Sequence, residues 1–234
     1  ALEAKLKKTP VVAVFDFGVD YEHKDLVDQI YKNEAECVNG KIAIGEAKED
    51  KDGNGYKGDC MGINLTTRNP LFKNRPSEDN GHGTHVAGII AATRNNGLGI
   101  AGVSSRIKIL PIKVLSSEKE APARGEAVKM TSDLVAEGIM YAIKRKVDVI
   151  NMSMGWPISQ NTELVQTAIR AALEQGIVVV AAAGNNNSSS PIYPCAQQGV
   201  LCVGSMDPDG QLSGYSNFGG YIDILAPGSK ILST

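Results

Sequence analysis

Histidine is scarce here. Only His23, His82 and His85 occur in 234 residues, and no Cys-x-x-Cys pair is present, so the usual zinc-site spacings are absent. No apolar run approaches the roughly 20 residues that cross a bilayer, so no membrane partner is expected. Neither sign of charge is in excess: Lys and Arg total 24, Asp and Glu total 26, and the formal net charge is -2. That balance gives no electrostatic reason to expect nucleic acid or an anionic surface as partner. No Gly-x-Gly-x-x-Gly follows a strand and opens a helix, which argues against dinucleotide binding. The stretch Ala1-Leu2-Glu3-Ala4-Lys5 is charged and no apolar core follows it, so no signal peptide is read there.

What remains is an ordinary globular composition, 42% hydrophobic and 21% charged, in a length that suits one domain with a substantial core. The domain is expected to take in residues 1–234. Cys37, Cys60, Cys195 and Cys202 allow three disulfide connectivities. Local pairing, Cys37 with Cys60 and Cys195 with Cys202, closes the shortest loops, and four buried thiols are the alternative.

Val11–Phe15, Ile107–Leu115, Val147–Met152 and Ile177–Ala183 are β-branched-rich and nearly continuous, the pattern of strands covered on both faces. Between them, Leu134, Val135, Gly138, Ile139, Ala142 and Ile143 recur at helical spacing. Leu164, Val165, Ala168, Ile169, Ala172 and Leu173 repeat that spacing, and Gly176 stands where a C-cap belongs. Strand alternating with helix predicts an α/β fold, a mostly parallel central sheet with helices on both faces. Sites in such sheets form at the carboxyl ends of strands, where Asp16, Ser153 and Asn185 all fall. Cys37–Arg75 and Ser116–Met130 are polar and read as surface insertions.

Five segments carry chemistry in a fixed order: Val14-Phe15-Asp16-Phe17-Gly18-Val19-Asp20, Gly81-His82-Gly83-Thr84-His85-Val86-Ala87-Gly88, Val149-Ile150-Asn151-Met152-Ser153-Met154-Gly155, Val180-Ala181-Ala182-Ala183-Gly184-Asn185 and Ala226-Pro227-Gly228. Together they resemble the subtilase family, the subtilisin-like serine proteases, over about Val11 to Thr234. The resemblance implies a serine endopeptidase that cleaves polypeptide substrates through an acyl-enzyme. His82 is then the general base, which a near-neutral imidazole suits. Asp16 fixes its tautomer and stabilises imidazolium. Asn185 donates its amide to the oxyanion. Ser153, Met154 and Gly155 form a cleft edge where substrate adds as an extra strand, and Ala182, Ala183 and Gly184 wall a roomy pocket for an apolar side chain. His85, one turn after His82, is expected to pack within the helix.

Two features depart from the family pattern. Phe17 stands where a Ser or Thr usually follows the aspartate, removing a hydroxyl from that network. No Gly-Thr-Ser block, the family's carrier of the nucleophile, occurs in the chain. Ser216 matches a segment with no nucleophilic role, and Ser188, Ser189 and Ser190 follow no strand-to-helix elbow. The expectation is therefore a catalytic domain incomplete at its C-terminus, with the attacking serine on a separate segment acting as a second chain, and with room for a pro-segment as a further partner. The alternative is a catalytically inactive subtilase relative that binds or regulates. The family also implies a secreted or otherwise extracytoplasmic location.

Asp50, Asp52 and Asn54 place oxygen donors at alternating positions, with Gly55 sixth and the Tyr56 carbonyl next, like the first half of an EF-hand loop. Met61 stands at the twelfth position, so Asp59 is the expected acidic substitute, since related subtilases carry acids near that point. The resemblance implies a second calcium loop, in which Asp25, Asn96 and the carbonyls of Arg94, Leu98 and Ile100 are ligands.

Overall fold

A strand as apolar as Val11–Phe15 must be covered on both faces. The computed structural model, which describes residues 7–41, 49–67, 77, 80–118 and 130–234, puts it inside a sheet. Strand β1 (Val11–Asp16) lies between β3 (Lys108–Lys113) and β4 (Val149–Met152). The seven-stranded order is β2-β3-β1-β4-β6-β8-β9, where β2 is Ile63–Asn64, β6 Val178–Ala182, β8 Leu201–Met206 and β9 Ile224–Pro227. All its pairings are parallel. Two further strands, β5 (Trp156–Pro157) and β7 (Ile192–Tyr193), form an antiparallel ribbon.

Alternation along β1 splits the core in two. Val12 and Val14 pack with Ala87 and Ala91 of α1 (His82–Ala91). Ala13 and Phe15 point the other way, to Val135 and Ile139 of α2 (Ser132–Lys144) and, deeper in that layer, Val165 and Ile169 of α3 (Glu163–Glu174). The α/β architecture with helices on both faces is therefore observed. Both expected helices form, and Gly176 ends α3 at φ 77° while its N–H donates to the Leu173 carbonyl.

One half of one face stays bare. By register, Val178, Leu201 and Ile224 lie on the same side of the sheet as α1, yet they are 49%, 40% and 54% exposed. The segment after Cys37 is less superficial than its polarity suggests. Met61, Ile63 and Leu65 are buried, and β2 joins the sheet beside β3. Of the second insertion, residues 119–129 lie outside the described residues; its first residue, Ser116, is buried and donates to the Thr66 hydroxyl at 3.0 Å. Both disulfides are the local ones, Cys37–Cys60 and Cys195–Cys202.

Gly138 shows how tightly α2 lies on β1: a Cβ there would stand 2.7 Å from Phe15 Cε1 and 3.1 Å from Ile112 Cγ2. Gly to Ala normally gains about 1 kcal/mol inside a helix. Here overpacking costs about 1–3 kcal/mol and outweighs that gain. Gly138→Ala should lower the urea midpoint, with a net loss of up to about 2 kcal/mol, at unchanged m-value. A gain in stability would contradict the packing described.

Candidate active site

Asp16 closes β1, and its side chain is 1% exposed. A carboxylate so placed needs donors in place of lost water. It receives the Phe17 backbone N–H at 2.8 Å, so the residue that removes the family's hydroxyl still caps the carboxylate through its main chain. The other donor is His82. Its Nδ1 lies 2.8 Å from both Asp16 oxygens. Because the carboxylate only accepts, Nδ1 carries the proton, and neutral His82 keeps its lone pair on Nε2.

Local sequence aims that ring. Gly81 turns the chain at φ 87° and His82 opens α1, with its own N–H held by Asn80 Oδ1 at 2.9 Å. Thr84 on the same turn accepts the Asp20 N–H at 2.8 Å, tying the loop after β1 to the helix. The Phe17 ring meets the imidazole edge-on, with centroids 6.5 Å apart and planes at 75°. Asp16 is thus sealed, while the His82 side chain is 49% exposed. His85 packs as expected: its Nε2 is 3.3 Å from the Ile231 carbonyl, and its own carbonyl accepts the Ser233 hydroxyl at 2.7 Å.

The neighbouring strands end at the same level. Phe15 pairs with Met152, and Met152 with Ala181. Ser153-Met154-Gly155 therefore leaves β4 beside Ala182-Ala183-Gly184, where β6 ends, at the sheet edge that carries Asp16. Asn151 donates to the Ser153 hydroxyl at 3.0 Å, and Met154 is buried beneath the segment. Asn185 follows Gly184, whose φ of 101° turns the chain sharply, and is exposed. Its loop is held from below by Asn217, which is fully buried. The Asn217 amide donates to the Ala183 carbonyl at 2.9 Å, and its oxygen accepts the N–H groups of Asn186 and Ser188 at 2.9 and 3.2 Å. Sequence reading missed Asn217; a polar residue in a serine-rich turn carries no local sign of this role. A cleft of about 450 Å³ opens between α2, α3 and β5, lined by Met130, Val135, Trp156 and Val165 together with the polar Thr131, Ser132, Gln160 and Thr162.

The loop closed by Cys37–Cys60 gathers acids. Asp50 accepts the N–H groups of Asn54 and Gly55 at 3.1 and 2.6 Å, and Asn54 Oδ1 accepts that of Tyr56 at 2.7 Å. One oxygen each from Glu36, Asp50 and Asp52 lies within 4.8 Å of the others. Glu36, a member of that cluster, is buried and bonded to the N–H groups of Asp52 and Gly58 at 3.3 and 2.8 Å. Asp59 instead turns inward, accepting from Asn33 at 2.6 Å, the Tyr141 hydroxyl at 2.7 Å and Asn54 at 2.8 Å. Burial pushes its pKa up, and the donors from Tyr141, Asn54 and Asn33 only partly offset that. At Asp52 burial is outweighed by hydrogen bonds from Arg145 and Asn33, and its pKa falls. In the second loop Asp25 and Asn96 do meet. However, Asn96 turns its amide N–H to the carboxylate at 2.6 Å, and the Ile100 N–H adds a bond at 3.2 Å. Arg94 spends its guanidinium on the carbonyls of Gly102 and Val103.

This arrangement has known counterparts. A family model described as "Subtilase family" matches residues 7–234. The major intracellular serine protease of Bacillus subtilis (strain 168) is 39% identical over 228 residues, 95% of this chain and 59% of that protein. Thermitase of Thermoactinomyces vulgaris is 33% identical over 223 residues, covering 95% of this chain and 64% of thermitase. An extracellular protease of Xanthomonas campestris pv. campestris is 36% identical over 228 residues, 96% of this chain and 38% of its own length. The chain thus spans less than two thirds of each of these relatives, which include intracellular and extracellular enzymes. A solved structure, that of the prenylagaramide maturation protease PagA, shares the fold: TM-score 0.68 at 23% identity, covering 99% of this chain and 67% of that one. With the sheet, the paired Asp and His and these matches in agreement, the chain belongs to the subtilase family of serine proteases.

Proposed function

We propose that this chain carries the base-bearing part of a subtilisin-like serine endopeptidase, and that it forms one catalytic domain with a further segment that supplies the attacking serine. The observation that carries the reading is the 2.8 Å bond from His82 Nδ1 to a buried Asp16. With the proton on Nδ1, Nε2 is the basic nitrogen of the ring, as proton removal from a hydroxyl requires. In the reaction Nε2 takes the serine proton as the oxygen attacks the peptide carbonyl, and Asp16 stabilises the resulting imidazolium. The Asn185 amide donates to the oxygen that becomes negative. His82 then returns the proton to the departing amine, and water repeats the sequence on the acyl-enzyme.

Substrate would lie along Ser153-Met154-Gly155 as an added strand, bonding through its main chain and so with little sequence selectivity. Ala182, Ala183 and Gly184 leave space for an apolar side chain next to the scissile bond, and the cleft beside Trp156 has room for another farther along. The separate serine segment is supported by the bare face formed by Val178, Leu201 and Ile224, an apolar surface that a further element would cover. Two disulfides favour an extracytoplasmic location.

Calcium fits the loop of Asp50, Asp52, Asn54 and Tyr56, with Glu36 as the added acid, because every donor is a hard oxygen. The ion would neutralise carboxylates that otherwise repel. A second ion at Asp25, Asn96 and the carbonyls of Arg94, Leu98 and Ile100 requires the Asn96 amide to turn over.

Three experiments test these assignments on the full-length protein. His82→Ala should cut peptide hydrolysis by about 10²-fold or more with little change in KM. A fluorophosphonate probe should label a serine outside residues 1–234; labelling of a serine within them would overturn the two-segment assignment. Hydrolysis unaffected by His82→Ala would overturn the catalytic reading. Glu36→Gln should weaken calcium binding, read by calorimetry, by about tenfold or more. Unchanged affinity would remove Glu36 from the ligand set.

A further inference from the structure

The carboxyl ends of β8 and β9 hold a second polar cluster, separated from β1 in the sheet by β4 and β6. Ser205 Oγ lies 2.8 Å from Ser213 Oγ and 2.7 Å from the Tyr215 hydroxyl. Ser213 donates to Asp207 Oδ1 at 2.8 Å and stands 3.0 Å from Ser229 Oγ. Tyr215 donates to the Gly228 carbonyl at 2.9 Å and stands 3.2 Å from Ser229 Oγ. Ser229 donates to the same Asp207 oxygen.

Protons are too few for this geometry. Seven oxygen–oxygen approaches share the four hydroxyl protons of Ser205, Ser213, Tyr215 and Ser229, so three of them set lone pair against lone pair. Asp207 does not make up the deficit by protonating. Hydrogen bonds from Ser229 and Ser213, with the charge of Lys230, hold its carboxyl below the ordinary range. The cage is also fixed by the backbone. The Ser213 N–H donates to the Ser205 carbonyl at 2.9 Å, and the Gly228 N–H to the Met206 carbonyl at 3.1 Å. A Cβ on Gly228 would fall 2.2 Å from Ser205 Oγ, so the close approach needs glycine.

Oxygens held together without protons between them repel unless a positive charge sits among them. We propose that Asp207, Ser205, Ser213, Tyr215, Ser229 and the Gly228 carbonyl form a binding site for a monovalent hard cation of sodium size. The all-oxygen donor set excludes soft metals. A single carboxylate among neutral oxygens falls short of what tight calcium sites use. The spacing of 2.7 to 3.2 Å between neighbouring oxygens favours sodium over the larger potassium. Lys230, whose positive charge acts on Asp207, opposes the ion and makes the site weak.

Thermal unfolding of the full-length, calcium-saturated protein tests this, with sodium chloride exchanged for choline chloride at constant ionic strength so that screening is unchanged. Sodium should raise the midpoint saturably, by about 3–6 °C at roughly ten times its dissociation constant. The response should vanish in Ser229→Ala and Asp207→Asn. In Lys230→Gln, an exposed change, it should reach half-saturation at lower sodium. Equal midpoints in sodium and choline would overturn the proposal, as would a sodium response that survives Asp207→Asn and Ser229→Ala and is indifferent to Lys230→Gln. A stronger response to potassium than to sodium would overturn the size assignment.

Discussion

A carboxylate buried at the end of a central strand stays ionised only where donors replace the water it has lost, and the geometry around Asp16 follows from that requirement. Its donors are the Phe17 N–H and the His82 ring. The bond fixes the imidazole's tautomer and orientation at once. It also works against the start of α1, whose partial positive charge disfavours imidazolium by about 0.3–1 kcal/mol at ordinary sites. An opposite charge in direct contact favours the charged form of the ring more strongly than the helix start opposes it, so the carboxylate prevails. His82 can therefore accept a proton at a helix N-terminus that would otherwise discourage it.

The sheet spreads this local arrangement into a site. Parallel strands end together, so the register that aligns Phe15 with Met152 and Met152 with Ala181 delivers three chemically different segments to one edge. Each is then braced from behind: His82 by Asn80 and the Thr84–Asp20 bond, Ser153 by Asn151, and the Asn185 loop by Asn217. The Cys195–Cys202 disulfide lies under the same edge, with Cys195 Sγ 3.2 Å from the Ala181 carbonyl. Rigid backing of this kind suits a site whose donors must already be in place when charge develops.

What could be read from the sequence was what neighbouring residues encode. Val11–Asp16 announces a buried strand and its polar end, and His82 between glycines announces a helix start. The periodicities of α2 and α3 are equally local. Strand β8 was harder, because Gly204 and Ser205 interrupt its apolar pattern. The role of Glu36 was invisible, since it reaches Asp50 and Asp52 only after Cys37–Cys60 folds the loop back. Asn217 lies about thirty positions from the loop it supports, and only the pairing of β6 with β8 brings the two together. Polar composition misled for the segment after Cys37, where Met61, Ile63 and Leu65 alternate with Gly62 and Asn64 yet all reach the interior.

The account rests on His82 holding its proton on Nδ1, against Asp16, so that Nε2 is the basic nitrogen. Nitrogen-15 correlation spectra of the imidazole, recorded through a pH titration of the wild type and of Asp16→Asn, test this directly. The account predicts a neutral Nδ1–H tautomer in the wild type and loss of that preference in the variant, because the carboxylate that accepts from Nδ1 is gone. An Nε2–H tautomer in the wild type, or a tautomer preference indifferent to Asp16→Asn, would contradict it.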